Sequence, residues 1–159
     1  DGDKTICICA KMLKNAGLLS ENKVTATVMS NIGFHKYIKE TVGAEVEVTG
    51  VGDRYVLESM RKTGCILGGE QSGHIIFRKY ATTGDGILTA IKMMEVMLEK
   101  KSSLATLTSP VRIYPQVLKN VRVKSKPEAQ NDADVQAAVK QVAETLGSTG
   151  RSALSASAP

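Results

Sequence analysis

One short polar loop carries most of the side chains with chemical potential. Residues 68–74 read Gly-Gly-Glu-Gln-Ser-Gly-His, between an apolar run at 65–67 and a β-branched run at 75–77. Glycines let a backbone approach a ligand closely, and the polar side chains supply donors and acceptors suited to hydroxyl groups. The pattern predicts a polyol or sugar clamp, with a tight, solvated hairpin as the alternative. The candidate binding residues are Glu70, Gln71, Ser72, Gly73 and His74.

Two further loops follow predicted strands. Gly52, Asp53 and Arg54 come after the second strand, and Ser30 and Asn31 come after the first. Arg54 is suited to a bidentate contact with a phosphate; the alternative is a salt bridge to Asp53 or a neighbouring loop. Because ligands of α/β sheets gather at the carboxyl ends of strands, we expect all three loops to face one cleft.

The remaining polar motifs favour structural roles. Asp1 and Asp3 precede a helical pattern, so N-capping explains them better than metal binding. The segment 82–86, Thr-Thr-Gly-Asp-Gly, precedes another helix, and Asp85 would repel an anion there. No Ser/His/Asp or Cys/His pattern surrounds His74. We therefore predict neither a catalytic residue nor a metal ligand in this chain.

Helices and strands alternate along most of the chain. Periodicity predicts helices over 3–16, from Ser30 or Asn31 to Gly43, over 54–63 and over 86–100, and strands over 24–29, 45–48, 65–67 and 74–77. In the last helix the predicted apolar side is Leu88, Ile91, Met94 or Glu95, and Leu98. The order predicts a three-layer α/β/α domain with a mixed sheet over residues 1–113.

The composition changes near Ser109 and Pro110. Residues 117–123 read as a further strand, and Val135, Val139, Val142 and Leu146 define an amphipathic helix. This segment, 114–147, is a short incomplete α+β unit that is too small to bury its apolar faces alone. The Ser/Ala-rich tail, 148–159, is predicted to be disordered.

The bulk composition excludes some classes of partner. The net charge of +5 is spread along 159 residues, and aromatic residues make up only 4%, which argues against nucleic-acid binding. No apolar run is long enough to span a membrane, so we expect no membrane partner and a cytoplasmic location. Cys7, Cys9 and Cys65 lie in apolar surroundings and are expected to be buried, reduced thiols.

Four motifs in this order and spacing resemble a known family. They are residues 28–31 (Val-Met-Ser-Asn), 51–56 (Val-Gly-Asp-Arg-Tyr-Val), 68–75 and 82–86. Together they resemble the third domain of the bacterial phosphoglucosamine mutases, a branch of the α-D-phosphohexomutase superfamily. The resemblance covers about residues 1–125 and extends into the start of a fourth, phosphate-binding domain.

The resemblance implies an isomerase that interconverts glucosamine 6-phosphate and glucosamine 1-phosphate through a bisphosphate, for cell-wall precursor synthesis. Glu70 and Ser72 would grip sugar hydroxyls beside His74, while Arg54 and the 52–53 turn would line the same cleft. The alternatives are part of a phosphomannomutase or phosphoglucomutase, or a stand-alone sugar- or anion-binding module.

The resemblance also implies that essential parts lie in other domains. The family uses a phosphoserine and Mg²⁺, but residues 1–4 resemble a stretch downstream of the metal loop. The sequence after Arg151 lacks the family's phosphate-loop pattern. We therefore expect the Mg²⁺ ligands to lie outside this chain, the remaining domains to be its partners, and the chain alone to be inactive.

Overall fold

The chain divides into two compact units in a computed structural model that describes residues 1–152 and residue 154. The first unit spans Asp1–Tyr114 and the second Pro115–Pro159. The elements of the first are α1 (Gly2–Asn15), β1 (Lys23–Thr27), α2 (Ile32–Lys36), β2 (Glu45–Thr49), α3 (Asp53–Thr63), β3 (Leu67–Gly69), β4 (Ile75–Phe77), α4 (Gly86–Lys100) and α5 (Leu104–Thr108). The second contains α6 (Lys126–Asn131) and α7 (Ala133–Leu146).

The first unit is built on a mixed four-stranded sheet in the order β2-β1-β3-β4. β1 runs parallel to β2 and to β3, whereas β3 and β4 form an antiparallel pair. In β1, Val24 and Ala26 are fully buried, as are Thr25 and Thr27 on the opposite face. Both faces of the central strand are therefore covered, as expected when helices pack on each side of a parallel sheet.

Helices cover the two faces of the sheet unequally. α1, α2 and α4 contribute to the larger core, around Ile6, Phe34 and Val96. α3 buries Val56 and Met60 in a smaller cluster with Cys65 and Ile76 on the other face. This arrangement confirms the predicted three-layer α/β/α fold.

Local sequence signals explain where the helices begin and end. The Asp1 carboxylate accepts a hydrogen bond from the Lys4 amide at 3.0 Å and caps α1. Asn31 caps α2 through the Gly33 amide, and a π-helix over Tyr37–Val42 continues this element to Gly43. Asp3 is not a cap: it is fully buried, and its Oδ2 accepts from the Asn31 amide at 2.7 Å.

The three cysteines are buried and unbridged, as predicted. Burial raises the pKa of the Cys7 thiol, and the charge of Asp3 adds to the effect. Burial also raises the pKa of Cys9 to about 12, and its Sγ contacts Met93 Sδ at 3.8 Å. These thiols are therefore packing residues of the core.

The predicted apolar side of α4 was wrong for most of its residues. Met93 and Val96 are buried and Leu88 packs against the core, whereas Met94 and Leu98 are 53% and 78% exposed. α4 carries apolar side chains around much of its circumference, so periodicity alone permits two faces. Contact with α1 selects the face that contains Met93.

The second unit contains no strand among its described residues, so the strand predicted over 117–123 was wrong. Val117, Leu118 and Val121 are 92%, 67% and 70% exposed. A strand needs a partner for its backbone groups, and the described part of the chain offers none there. The predicted amphipathic helix is present as α7, although none of its described side chains is buried. Half of the predicted tail, residues 153 and 155–159, lies outside the described residues.

Candidate functional site

Two of the predicted loops meet at the carboxyl edge of the sheet. Gly52 follows β2 and Glu70 follows β3, and these strands both run parallel to β1. The Gly52 amide donates a hydrogen bond to Glu70 Oε1 at 3.1 Å. Gly52 has a φ of 128° and a ψ of 134°, a conformation that only glycine adopts readily. Glycine at this position therefore allows the backbone to direct its N–H at the carboxylate.

The loop 70–74 is closed by its own backbone. The Glu70 amide donates to the His74 carbonyl and the Gly73 amide donates to the Glu70 carbonyl, each at 3.0 Å. The start of α1 supports the loop, since the Gly2 amide donates to the Gln71 carbonyl at 2.9 Å. Five residues are thus held as a tight turn between β3 and β4, which places their side chains at one end of the sheet.

His74 connects this loop to the start of α3. Its Nε2 lies 3.4 Å from Oδ2 of Asp53, and the two side chains are 41% and 54% exposed. The contact is a close approach without a hydrogen bond: Nε2 is covered from solvent and makes no hydrogen bond to a described residue. The predicted residues Gly52, Asp53, Glu70 and His74 therefore form one cluster.

Arg54 has a different partner from those expected. Its Nε donates to Glu58 Oε1, one helical turn along α3, at 2.9 Å, and its side chain is 82% exposed. The hydrogen bond raises the pKa of Arg54 and lowers that of Glu58. Exposed pairs of this kind contribute little to stability, so a ligand phosphate can compete for the guanidinium. Its role as a phosphate ligand stays a prediction.

Ser72 and Gly73 are exposed at the tip of the loop, and Gln71 is half-buried. Ser72 therefore presents its hydroxyl to solvent, where a sugar can reach it. The structure is compatible with all eight predicted binding residues lying near one edge of the sheet. Their assignment to substrate contacts stays a prediction.

The third predicted loop does not present its side chains to a cleft. Ser30 and Asn31 are only 1% and 3% exposed. The Asn31 amide group donates through Nδ2 to the Tyr114 carbonyl at 2.9 Å and accepts through Oδ1 from the Tyr114 amide at 3.0 Å. Burial and these bonds to the end of the first unit commit Asn31 to structure, so the expectation of a ligand-facing loop here was wrong.

The motif at 82–86 caps a helix, as its sequence favours, and its Gly84 also contacts the His74 ring. Asp85 Oδ1 accepts from the Leu88 amide at 2.9 Å and caps α4. Gly84 lies against the His74 ring so closely that a Cβ there would be 2.4 Å from two ring atoms. Sequence reasoning missed this contact, because no local pattern pairs Gly84 with His74.

The described residues contain no group of three or more His, Cys, Asp or Glu side chains arranged to hold a metal ion. Among the described residues, none of the helices has the length and hydropathy of a membrane span.

Comparison with known proteins identifies the family. Residues 1–114 match the alpha/beta/alpha domain III of the phosphoglucomutase/phosphomannomutase family. The chain belongs to this family. The phosphoglucosamine mutase of Lachnospira eligens is 58% identical over 150 residues, which cover 94% of this chain and 33% of that protein. The phosphoglucosamine mutase of Lachnoclostridium phytofermentans is 50% identical over 95% of this chain and 34% of its own length. The chain spans about a third of these phosphohexomutases.

Solved phosphohexomutases share the fold. An N-acetylglucosamine-phosphate mutase in its apo form superposes with a TM-score of 0.73 at 17% identity, over 93% of this chain and 36% of that one. The Aspergillus fumigatus N-acetylphosphoglucosamine mutase, in complex with GlcNAc-6P and magnesium, gives a TM-score of 0.74 at 15% identity, over 91% and 36%. At these identities the likeness concerns the fold alone.

Proposed function

We propose that this chain is the sugar-recognition part of a phosphoglucosamine mutase, which interconverts glucosamine 6-phosphate and glucosamine 1-phosphate through a bisphosphate. The observation that carries the proposal is the junction of the Gly52 loop with the Glu70 loop. It sits at the carboxyl edge of the sheet in a chain that is 58% identical over 150 residues to a phosphoglucosamine mutase. Such edges are where α/β sheets bind ligands.

Glu70 is the main candidate for holding the sugar. Oε1 accepts from the Gly52 amide, and a carboxylate has further acceptor capacity, which two adjacent sugar hydroxyls can use. Ser72 supplies an exposed hydroxyl two residues away. His74, Asp53 and the 71–73 backbone complete a surface rich in donors and acceptors, as a hydroxylated ligand requires.

Phosphoryl transfer requires groups beyond this surface. A phosphate donor, a metal ion and cationic clamps stabilise the charge that develops in the transition state. We propose that Mg²⁺ and the phosphoserine are held by the rest of the full-length enzyme, in keeping with the magnesium complex of the Aspergillus fumigatus relative. Turnover of glucosamine 6-phosphate by this chain alone would contradict the proposed division of labour.

The test of the site uses the full-length enzyme. Glu70→Ala should lower kcat/KM for glucosamine 6-phosphate at least about tenfold, the value of roughly one hydrogen bond to a charged group. Glu40→Ala is the matched control, because it removes an exposed carboxylate from the π-helix Tyr37–Val42, outside the candidate site. An unchanged kcat/KM for Glu70→Ala would refute the assignment.

A phosphomannomutase or phosphoglucomutase remains the second candidate, since the matched family includes both activities. The hexose phosphate that the full-length enzyme turns over with the highest kcat/KM separates the two. A stand-alone binding module is tested by NMR titration of this chain with glucosamine 6-phosphate. Shifts at Glu70 and Ser72 with sub-millimolar affinity would support the module, and their absence would support dependence on the other domains.

A further inference from the structure

The His74 ring lies in a slot with two named walls. One wall is the backbone of Gly84: a Cβ at that position would lie 2.4 Å from His74 Cδ2, 2.4 Å from Nε2 and 2.7 Å from Cγ. The other is the Asp53 carboxylate, 3.4 Å from Nε2. Real Cβ atoms do not approach other heavy atoms this closely, so the ring occupies space that exists only because residue 84 is glycine.

The slot determines which edge of the imidazole faces outward. Cγ, Cδ2 and Nε2 are the atoms against Gly84, and Nε2 is covered from solvent. The side chain is nevertheless 41% exposed. Nδ1 and Cε1 form the edge of the ring opposite to the atoms that face Gly84.

Neither wall is loosely attached. The amide of Asp85, next to Gly84, donates to the Ile75 carbonyl of β4 at 3.2 Å. Asp53 is the first residue of α3, and its Oδ1 accepts from the Arg54 amide at 2.8 Å. The carbonyl of His74 accepts from the Glu70 amide, so a displacement of His74 would also move Glu70.

We propose that Gly84 and Asp53 are positioning residues that hold His74 with Nε2 toward the carboxylate and Nδ1 toward the ligand. The nitrogen that faces a carboxylate carries the proton of a neutral imidazole, which leaves the Nδ1 lone pair as an acceptor. The inference rests on the proposed function only for the ligand, a hexosamine phosphate. One of its hydroxyl groups donates a hydrogen bond to Nδ1 while Glu70 holds its neighbours.

The first test measures which ring nitrogen of His74 carries the proton. Long-range ¹H–¹⁵N NMR of this chain in alkaline buffer distinguishes the two neutral tautomers, and the chain has only two histidines, so His35 is an internal reference. We expect the Nε2–H tautomer at His74. Asp53→Ala should shift the His74 nitrogens, and Glu58→Ala should leave them in place. A dominant Nδ1–H tautomer, or His74 signals unchanged by Asp53→Ala, would overturn the proposal.

The second test uses a matched pair of glycines. Gly84→Ala should displace the ring and shift its signals, whereas Gly86→Ala adds a methyl group where no atom lies within 4 Å and should not. In the full-length enzyme we expect Gly84→Ala to lower kcat/KM roughly 10- to 100-fold, because small misplacements of a contact group are costly. Gly86→Ala should stay within about twofold.

The outcomes distinguish the positioning of His74 by Gly84 and Asp53 from the proposed function. If Gly84→Ala shifts the ring signals but kcat/KM is unchanged, the slot exists and the role of His74 toward the sugar is wrong. If the ring signals do not move, the positioning role of Gly84 is wrong whatever the kinetics. Should Gly84→Ala fail to fold, the spectra of Asp53→Ala decide, because Asp53 is an exposed residue at a helix start.

Discussion

The hydrogen bond between the Gly52 amide and Glu70 is the contact that joins the two loops of the site, so its removal is the most informative perturbation. Glu70→Ala deletes the acceptor, and Glu70→Gln keeps a carbonyl oxygen in its place but removes the charge. If the bond holds the loops together, the two variants should differ in stability and in the environment of Gly52.

The magnitude follows from the geometry. At 3.1 Å the bond is of ordinary length, and hydrogen bonds to charged groups contribute about 1.5–3 kcal/mol when they are buried. Glu70 is half-buried, so solvent screening reduces this to about 1 kcal/mol. With a urea dependence of roughly 2 kcal/mol per molar, Glu70→Ala should lower the midpoint of unfolding by about 0.5 M, and Glu70→Gln by about half as much.

Urea unfolding followed by circular dichroism measures the midpoints, and the ¹H–¹⁵N signal of the Gly52 amide reports the bond itself. Ser72→Ala is the control, since Ser72 is exposed and has no hydrogen bond to another described residue. Equal midpoints for Glu70→Ala and the unmodified chain, or an unmoved Gly52 signal, would refute the view that this bond joins the loops.

Three further predictions concern the core. Met60→Ala removes a fully buried side chain and should lower the free energy of unfolding, measured in urea, by about 2–5 kcal/mol. Met94→Ala, at a 53% exposed site, should lower it by less than about 0.5 kcal/mol. Similar losses would contradict the buried position of Met60 on α3 and the exposed position of Met94 on α4. Gly33→Ala places a Cβ 1.8 Å from the Arg112 carbonyl oxygen and should cost about 3 kcal/mol or more, so a thermal midpoint within a degree or so of the parent would contradict this packing. Burial raises the pKa of Cys9 from 9.0 to about 12, so above about pH 9 the unfolded chain loses a proton that the native chain keeps. The free energy of unfolding should therefore fall as pH rises from 9 toward 12. Constant urea midpoints over that range would show that the thiol is not buried.

Sequence patterns predicted the elements of the first unit as far as α4, because these have local signals, whereas α5 (Leu104–Thr108) was not predicted. Asp1, Asn31 and Asp85 are helix caps, and Gly43 and Gly64 end helices with positive φ. Such signals act within a few residues and do not depend on tertiary contacts. They place the ends of helices, and therefore the loops that carry the candidate site.

The errors concern interactions over a long range. The buried face of α4 depends on contact with α1, and the strand predicted over 117–123 depends on a partner strand that the described chain does not supply. A hydrophobic pattern shows which side chains of a segment can be buried, but which of them are buried depends on the neighbouring elements that pack against the segment. Asn31 illustrates the same limit, because its partner Tyr114 is 83 residues away.

The site itself shows why the loop 70–74 was easier to recognise than to interpret. Composition indicated donors and acceptors, yet the Glu70 carboxylate already accepts a bond from Gly52, so it is a structural and a candidate binding group at once. A sugar that binds to the remaining acceptor sites of Glu70 leaves that bond intact, whereas one that competes for Oε1 must release the Gly52 loop. The first case makes the two loops a preformed surface; the second couples sugar binding to movement at the start of α3, where Asp53 contacts His74. A Gly52 amide signal that keeps its position on sugar binding identifies the first case, and a large shift identifies the second.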